Sequence, residues 1–273
     1  MIMNIKDDSV SAISSNIFDV KISLCIPTKN RFDTFLSKNC DEYIKYLDEG
    51  LIDEIVICDE DGFDYNKLIQ KYKNVLKTNK NVSEKFKLYK NNKVLGVFLN
   101  KIKVCSLASH DYIALIDSDN FCERNYFETI KNYITMYKCL LTDCFILSPS
   151  FAKPNFNFKS YENEIIKKDN IISYLKRPDF GVLINTGNYI LTKNIIKKIK
   201  INTDPKLMEL IRACDVMYFI LLVFQQLPYI EFHIIKDLEY NHAVHDDSEY
   251  LKTFKSCIEF REKRIKPMFF QIK

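Results

Sequence analysis

The sequence predicts a single α/β domain with a mainly parallel central sheet flanked by helices. Short apolar runs alternate with segments of helical periodicity over residues 21–116. Strands that alternate with helices of about 10–15 residues are typical of crossover units, which lay parallel strands side by side and cover both faces of the sheet. A length of 273 residues with 47% hydrophobic residues is enough for one substantial core.

The first strand and helix show how each element is predicted. Lys21–Ile26 is an apolar strand, and Pro27 should end it because proline has no N–H group for a sheet ladder. Apolar residues then recur at three- and four-residue spacing from Phe32 to Leu47, which predicts an amphipathic helix. Gly50 is placed to end that helix as a C-cap.

The same alternation predicts the elements that follow. Further strands are expected at Ile55–Cys58, Phe86–Tyr89 and Tyr112–Ile116, separated by helices at Tyr65–Leu76 and Val97–Ala108. After residue 145 the pattern is mixed and predicts a more elaborate second half. Its expected elements are a strand at Gly181–Leu191, a long helix at Lys206–Gln226, a strand at Tyr229–Ile235 and a helical tail from Ser248 until Pro267.

Composition and charge exclude several classes of protein. A net charge of +4 is far below that of a dedicated nucleic-acid binder, and the aromatic content of 13% excludes a disordered chain. The nine cysteines contain no C-x-x-C pair, so neither a zinc ribbon nor a thioredoxin-type site is present. Their odd number and scattered positions favour a reducing compartment.

The sequence also predicts a cytoplasmic protein. Residues 1–20 carry charges and lack the continuous apolar stretch of a secretory signal. The longest apolar run, Val216–Phe224, has nine residues, whereas a membrane span needs about 20, so a buried helix is expected there. Abundant Lys, Asn and Ile without any Trp indicate an AT-rich source, such as a bacterium or a virus.

Polar clusters follow three of the predicted strands. They are Pro27–Arg31, Asp59–Asp61 and Asp117–Asn120. Because ligands of open parallel sheets bind beyond the carboxyl ends of the strands, these clusters should line one rim. Basic and hydrogen-bonding groups beside carboxylates suit a polar anionic ligand together with a divalent cation.

The sharpest of these features is a pair of carboxylates. Asp117 and Asp119 are separated only by Ser118 and directly follow the predicted strand Tyr112–Ile116. Carboxylates at that spacing can approach one ion, and an oxygen-based site with open positions favours Mg²⁺ or Mn²⁺ bound with phosphate oxygens. Such a pair also occurs by chance in turns, but its place after a strand favours the metal site.

At these positions the chain resembles a known family. Ile22–Asn120 is similar to the nucleotide-sugar-binding half of a GT-A (Rossmann-like) fold glycosyltransferase of the family 2 type. The matching pieces, in family order, are Ser23–Arg31, Glu54–Gly62, Asn92, Gly96 with Asn100, and His110–Asn120. The second half is similar in outline only, through Thr186–Ile190 and Cys214–Asp215.

The resemblance implies roles for individual residues. Asp59 or Asp61 would bond the base or ribose, Asp117 would face the ribose or sugar, and Asp119 would bind Mn²⁺ or Mg²⁺ at the diphosphate. The residues that would line the nucleotide-sugar site are Pro27, Thr28, Asn30, Arg31, Asp59, Asp61, Asn100, Asp117 and Ser118. The sequence departs from the family at Phe63, where Ser is usual, and at Asn120, where a third carboxylate is common.

Two further roles are assigned in the second half. An inverting transfer needs a carboxylate base for the acceptor hydroxyl, and the family places it at the start of a helix. Asp215 is the candidate, with Glu209 as the alternative. A C-terminal histidine often completes the metal site in this fold, so His245 is expected to join Asp119, with His242 as the alternative.

The resulting prediction is a metal-dependent glycosyltransferase. It would move a sugar from a nucleoside-diphosphate sugar, most simply UDP-linked, to a glycan, lipid-linked or protein acceptor, with inversion. A non-catalytic nucleotide-sugar or glycan-binding protein is the main alternative. A sugar nucleotidyltransferase would need a glycine-rich loop, and Pro27–Arg31 contains no glycine. No nucleic-acid partner or transmembrane segment is expected, and the sequence does not indicate an oligomeric state.

The predicted organisation has three parts. Residues 1–20 form a polar lead-in, residues 21–247 form the GT-A domain, and residues 248–273 form a helical tail. Within the domain, residues 21–120 are the nucleotide-sugar-binding half and residues 121–247 are the acceptor half.

Overall fold

The computed structural model describes residues 20–246 and 248–269, so nearly all of the expected lead-in lies outside the described residues. The strands are β1 (Ile22–Thr28), β2 (Glu54–Asp59), β3 (Phe86–Lys90), β4 (Tyr112–Leu115), β5 (Phe145–Lys153), β6 (Phe156–Asn157), β7 (Ile165–Lys167), β8 (Ile190–Thr192) and β9 (Glu231–Asn241).

Helices connect and cover these strands. They are α1 (Ser37–Asp48), α2 (Phe63–Thr78), α3 (Lys80–Lys85), α4 (Val97–Leu107), α5 (Arg124–Tyr137), α6 (Ile171–Leu175), α7 (Phe180–Leu183), α8 (Lys193–Lys198), α9 (Pro205–Leu210), α10 (Asp215–Gln226), α11 (Glu249–Phe260) and α12 (Lys266–Phe269). None of the described helices is long and apolar enough to cross a membrane.

One sheet runs through both halves of the chain. Within the described residues its strand order is β3-β2-β1-β4-β8-β5-β9-β7, with β6 beside β5. The strands β1 to β4 are mutually parallel, β5 and β9 point the same way, and β6, β7 and β8 run opposite. The predicted α/β fold with a mostly parallel sheet is therefore confirmed.

Each face of the sheet is covered by a hydrophobic core. Along β1, Leu24 and Ile26 face the core formed with α1 and α5, while Cys25 faces the core formed with α4 and α10. This alternation follows from the two-residue period of a strand. Since both faces are buried, the strands read as continuous apolar runs.

The predicted end of β1 is wrong by two residues. The strand continues through Pro27 to Thr28, which pair with the end of β2. The Cys25 carbonyl accepts from the Ile116 N–H, which follows β4. Because a strand repeats every two residues, the backbone of Pro27 faces that same side. Because β4 pairing ends opposite Cys25, the missing N–H of Pro27 costs no ladder bond.

The predicted helix from Phe32 to Leu47 is confirmed as a π-helical turn, Phe32–Leu36, followed by α1. Gly50 lies at φ +74° immediately after it. Its N–H donates to the Leu47 carbonyl (3.2 Å), and the Leu51 N–H donates to the Tyr46 carbonyl (2.9 Å). This is a Schellman motif, which confirms the predicted C-cap.

The strand predicted at Gly181–Leu191 is wrong over most of its length. Its first residues form the helical turn α7, and only β8, Ile190–Thr192, is extended. Between them Gly187 (φ +75°) and Asn188 (φ +60°) adopt left-handed conformations. Two consecutive left-handed residues cannot continue a strand, since extended backbone needs negative φ.

The long helix predicted at Lys206–Gln226 is two helices. The surface helix α9 has no buried residue, whereas α10 begins with ten consecutive buried residues. The turn between them lets α10 enter the core and leaves α9 at the surface. The strand predicted at Tyr229–Ile235 is β9, which extends further, to Asn241.

Two central elements, α5 and β5, were not predicted from the sequence. The C-terminal tail is helical as predicted, but it does not stop at Pro267. A π-helical turn, Arg261–Ile265, precedes α12, and Pro267 is the second residue of α12.

Candidate functional site

The carboxyl ends of β1, β2 and β4 meet at one rim of the sheet. Thr28 is the register partner of Asp59, and Cys25 is the partner of Leu115, which ends β4 just before the Asp117–Asn120 cluster. All three polar clusters found in the sequence therefore emerge at the same edge, as predicted. This is the edge at which open parallel sheets bind ligands.

The loop after β1 is shaped by Asp64, a fully buried residue in the first turn of α2. Its carboxylate accepts from the Thr28 hydroxyl (2.6 Å) and from the backbone N–H groups of Arg31 (3.0 Å) and Phe32 (2.9 Å). Thr28 therefore donates inward to Asp64, while the exposed Asn30, at φ +54°, faces outward. Sequence reasoning missed Asp64, because nothing in its local pattern distinguishes it from an ordinary helix-start acid.

The acidic loop after β2 divides into inner and outer groups. Asp59 is buried and accepts from the Tyr65 N–H (2.9 Å), and burial raises the pKa of this carboxyl despite that bond. Asp61 is exposed and accepts from the Phe63 N–H (3.1 Å). Of the two acids predicted to contact the base or ribose, Asp61 is the one that faces outward.

Asn100 lies below the rim. Its side-chain amide donates to the Cys58 carbonyl (3.0 Å), and its oxygen accepts from Asn91 (3.0 Å). The residue thus fastens α4 to the end of β2. The structure does not bring Asn100 to the ligand-facing surface with the other predicted residues.

The cluster after β4 is held from both sides. The Asp117 N–H donates to the side-chain oxygen of Asn188 (2.9 Å), and the Asn39 side chain donates to the backbone carbonyl of Asn120 (2.9 Å). Ser118 is buried between the two carboxylates. The Thr186–Ile190 segment noted in the sequence therefore acts on this site through Asn188.

The C-terminal part of the domain returns to the same cluster. The Asn120 side-chain oxygen accepts from the Ala243 N–H (3.0 Å), and Phe121 and Asn241 exchange backbone hydrogen bonds. His245 Nε2 then lies 3.0 Å from Asp119 Oδ2. Asn120, which replaces a common family carboxylate, thus anchors the segment that carries His245.

His245 is the histidine that reaches Asp119. Its ring also packs on Phe35, with centroids 5.2 Å apart. His242 instead contacts the Tyr240 hydroxyl through Nδ1 (3.3 Å). Burial lowers the pKa of His242, although the nearby Asp119 and Asp117 oppose that shift.

The Asp119–His245 pair fits a partial metal site. Among the described residues, no group of three or more Asp, Glu, His or Cys side chains is arranged to hold a metal ion. Mg²⁺ and related cations are commonly bound by one or two carboxylates plus the phosphates of a substrate. Two protein groups at an open rim suit a cation that a bound diphosphate completes.

Asp215 is the first residue of α10 and faces the same region from the second half of the chain. It is only 6% exposed, and its Oδ2 lies 3.1 Å from Lys101 Nζ, which is 2.9 Å from Asp117 Oδ1. Burial raises the pKa of Asp215, Lys101 opposes this rise, and Asp117 adds to it. Glu209 is exposed on α9, so the structure brings Asp215 rather than Glu209 to the site.

Lys101 is the charged residue of this group that sequence reasoning missed. Burial by itself would lower the pKa of Lys101, but Asp117 and Asp215 together hold it above its ordinary value. Lys101 follows Asn100 on α4. The side chain of Lys101 reaches the rim, whereas that of Asn100 points below the rim. In the sequence, the only signal was a lysine within an apolar helical segment, and this signal did not indicate which carboxylates the lysine would pair with.

The fold and the site together define a GT-A fold domain. One half has parallel strands with an acidic rim, and the mixed half returns a histidine to that rim. The profile of glycosyl transferase family 2 matches residues 23–195, which is more than half of the chain. The chain therefore belongs to glycosyltransferase family 2. No curated protein sequence matches it significantly.

Solved structures with the same fold include several glycosyltransferases. TarS 1–349 from S. aureus is 16% identical with a TM-score of 0.58, and the alignment covers 93% of this chain and 69% of TarS 1–349. Glucosyl-3-phosphoglycerate synthase from Mycobacterium tuberculosis, with Mn²⁺, UDP and phosphoglyceric acid, is 11% identical (TM-score 0.58; 97% and 84% covered). The mannosyltransferase PcManGT from Pyrobaculum calidifontis, with GDP-Man and Mn²⁺, is 14% identical (TM-score 0.56; 92% and 67% covered).

Proposed function

We propose that the protein transfers a sugar from a nucleoside-diphosphate sugar, UDP-linked, to an acceptor hydroxyl with inversion at the anomeric carbon. The observation that carries the proposal is the contact of Asp119 with His245 at the rim. Asp117 of the same cluster is linked through Lys101 to the buried Asp215 at the start of α10. A structure of TarS 1–349 in complex with UDP-GlcNAc, which shares this fold, supports the choice of donor.

The donor would lie along the rim. The Pro27–Arg31 loop and Asp61 would contact the nucleoside, and Asp117 would face the ribose or sugar. Asp119 and His245 would hold Mn²⁺ or Mg²⁺, which supplies positive charge to the departing diphosphate. Arg31 is half-buried at this edge.

Asp215 would act on the acceptor. Breaking a sugar–phosphate bond leaves positive character on the sugar, and the acceptor oxygen must lose its proton as it attacks. An ionised carboxylate at the start of α10 can accept that proton. The acceptor is a hydroxyl of a glycan, a lipid-linked sugar or a protein.

Replacement of Asp119 tests the role of the metal. In Asp119→Ala, Mn²⁺-stimulated release of UDP from a UDP-sugar should fall by about 100-fold or more, since a Lewis acid supplies several kcal/mol of transition-state stabilisation. Asp111→Ala is the matched control, because Asp111 is exposed at the opposite end of β4. Undiminished turnover in Asp119→Ala would contradict the assignment.

A non-catalytic binding protein is separated from an enzyme by product formation. Both would show a rise in melting temperature with UDP and Mn²⁺, because any ligand of the native state stabilises it by mass action. Only the enzyme would release more UDP when an acceptor alcohol is added. A panel of nucleotide sugars and acceptors, followed by UDP release, therefore decides between the two.

A further inference from the structure

Lys101 connects the donor side of the site to the acceptor side. Its ammonium lies between Asp117 at the end of β4 and Asp215 at the start of α10. These three side chains line one cavity together with Gly187 and Asn188. Lys101 is only 8% exposed, so its charge is directed at the two carboxylates rather than at solvent.

Asp215 depends on Lys101 for its charge balance. Its Oδ2 is buried and lacks a well-oriented hydrogen-bond donor among the described residues, so the ammonium 3.1 Å away is its main electrostatic partner. The other titratable groups facing Asp215 are the carboxylate of Asp117, the phenol of Tyr189 and the thiol of Cys105. None of these is a cation.

The backbone keeps the two sides of the site close together. Gly187 is at φ +75°, and a Cβ there would lie 3.6 Å from Asp117 Oδ2 and 3.5 Å from Val216 Cγ2. The loop before β8 is thus packed between the β4 cluster and α10. Lys101 forms the electrostatic link across the same narrow gap.

We propose that Lys101 is a positioning residue that keeps Asp215 ionised and oriented towards the acceptor hydroxyl, in fixed relation to the donor held beside Asp117. The inference rests on the proposed function, because it assigns Lys101 to the base of that reaction. Lys101 itself transfers no proton and touches no reacting atom. It acts through Asp215.

The variants Lys101→Met and Lys101→Arg test this role by pH profile. Lys101→Met should lower kcat/KM by about 100-fold, the lower range for loss of a general base, and should move the acidic limb of the profile to higher pH. The direction follows because a buried carboxylate without its cation stays protonated to higher pH. Lys101→Arg keeps the cation and should restore at least a tenth of the activity near the original pH limb.

Lys131→Met is the matched control. Lys131 is 9% exposed and pairs with Asp53 at 3.3 Å, but Asp53 lies before β2, at the opposite end of the strands. This variant should lose stability without moving the pH limb of the active protein. An unmoved limb in Lys101→Met, or an equal shift in Lys131→Met, would overturn the proposal.

A second measurement does not depend on turnover. The titration of the Asp215 carboxyl can be followed by ¹³C NMR, and its signal is assigned because it is missing in Asp215→Asn. In Lys101→Met this titration should move to higher pH. If that variant does not fold, the double variant Lys101→Met/Asp117→Asn serves instead. It leaves Asp215 as the one carboxylate of the pair, and the titration of Asp215 is measured in it. Wild-type protein that releases no UDP with any acceptor would contradict the proposed function, whereas an unchanged Asp215 titration would contradict only the role of Lys101.

Discussion

Single polar side chains hold the loops of the rim in place. Asp64 receives three hydrogen bonds from the loop after β1, and Asn188 receives one from the backbone of Asp117. Both side chains are buried, so each satisfies backbone or hydroxyl donors that water cannot reach. The ligand-facing groups of the rim thus depend on residues that would not touch a ligand.

Asp64→Asn should disturb the loop after β1. An amide oxygen accepts more weakly than a carboxylate, and its NH₂ group would face the donors of Thr28 and Arg31. The free energy of unfolding should fall by about 1–3 kcal/mol, and the KM for the donor should rise about tenfold. Urea unfolding and donor titrations measure the two effects.

Asp33→Asn is the control for that change. Asp33 is exposed in the π-helical turn beside the same loop, where its side chain pairs with Lys67. Surface ion pairs contribute about 0–1 kcal/mol, so this variant should keep nearly all its stability and its donor KM. Equal effects from the two substitutions would show that Asp64 has no special role in the loop.

At the scale of elements, helix ends and chain direction depend on a few backbone positions. The Schellman motif at Gly50 ends α1 and turns the chain towards β2. The left-handed pair Gly187 and Asn188 delays the start of the predicted strand to Ile190 and presents Asn188 to the rim. The first of these was readable from a glycine after a periodic helix, whereas the second lay in an apolar segment that resembled a strand.

Gly50→Ala should destabilise the protein through backbone strain alone. A Cβ at Gly50 would meet nothing within 4 Å, but φ is +74°, a conformation that costs an L-residue about 1 kcal/mol. The urea midpoint should fall while the m-value stays constant. In the control Gly181→Ala, the residue is helical and its Cβ would lie 3.8 Å from Met217 Cε, so stability should be unchanged or slightly higher.

The division of the second-half helix also arises at this scale. Residues 206–226 carry apolar residues throughout, so the sequence pattern predicts one helix. Burial separates them, because α10 lies inside the core and α9 lies at the surface. The break makes Asp215 the first residue of a helix.

At the scale of the whole molecule, the second half completes the site begun by the first. The parallel pairing of β5 with β9 directs the end of β9 towards the β4 cluster. As a result His245 contacts Asp119 although 126 residues separate them in sequence. The second half also supplies Asp215, as the first residue of α10.

The half built on β5 and β9 should also contribute a pH-dependent stability. His233 in β9 is buried, with Nδ1 2.8 Å from the Tyr133 hydroxyl and Nε2 3.2 Å from Glu231. Burial lowers the pKa of His233 below its ordinary value of 6.5, although Glu231 opposes the shift. Both ring nitrogens of His233 thus lie next to a polar partner.

Acidification should therefore weaken the fold through His233. The unfolded chain takes up the proton first, so the contribution is full above pH 6.5 and is lost as the pH falls through the lower folded pKa. In His233→Gln, the decrease in unfolding free energy between about pH 7 and pH 5 should be smaller than in the wild type. Denaturant unfolding at each pH measures the difference.

His110→Gln serves as the comparison for His233→Gln. His110 lies in the half-buried turn before β4, and its backbone N–H rather than its ring donates to Ser23. An equal change in the pH dependence of stability in both variants would contradict the assignment to His233. A His233→Gln variant with an unchanged pH dependence would contradict the assignment.

Local patterns in the sequence were sufficient for the α/β class, the first four strands, the shared rim and the Asp117–Asp119 pair. Periodicity and strand-end polarity are properties of neighbouring residues, so they can be read along the chain. The family resemblance already suggested His245 as the partner of Asp119. The choice of His245 over His242, the bridge from Lys101 to Asp215 and the buried support from Asp64 required the folded molecule. These contacts join residues 36 to 126 positions apart. They are brought together by burial and strand register, which no short segment encodes.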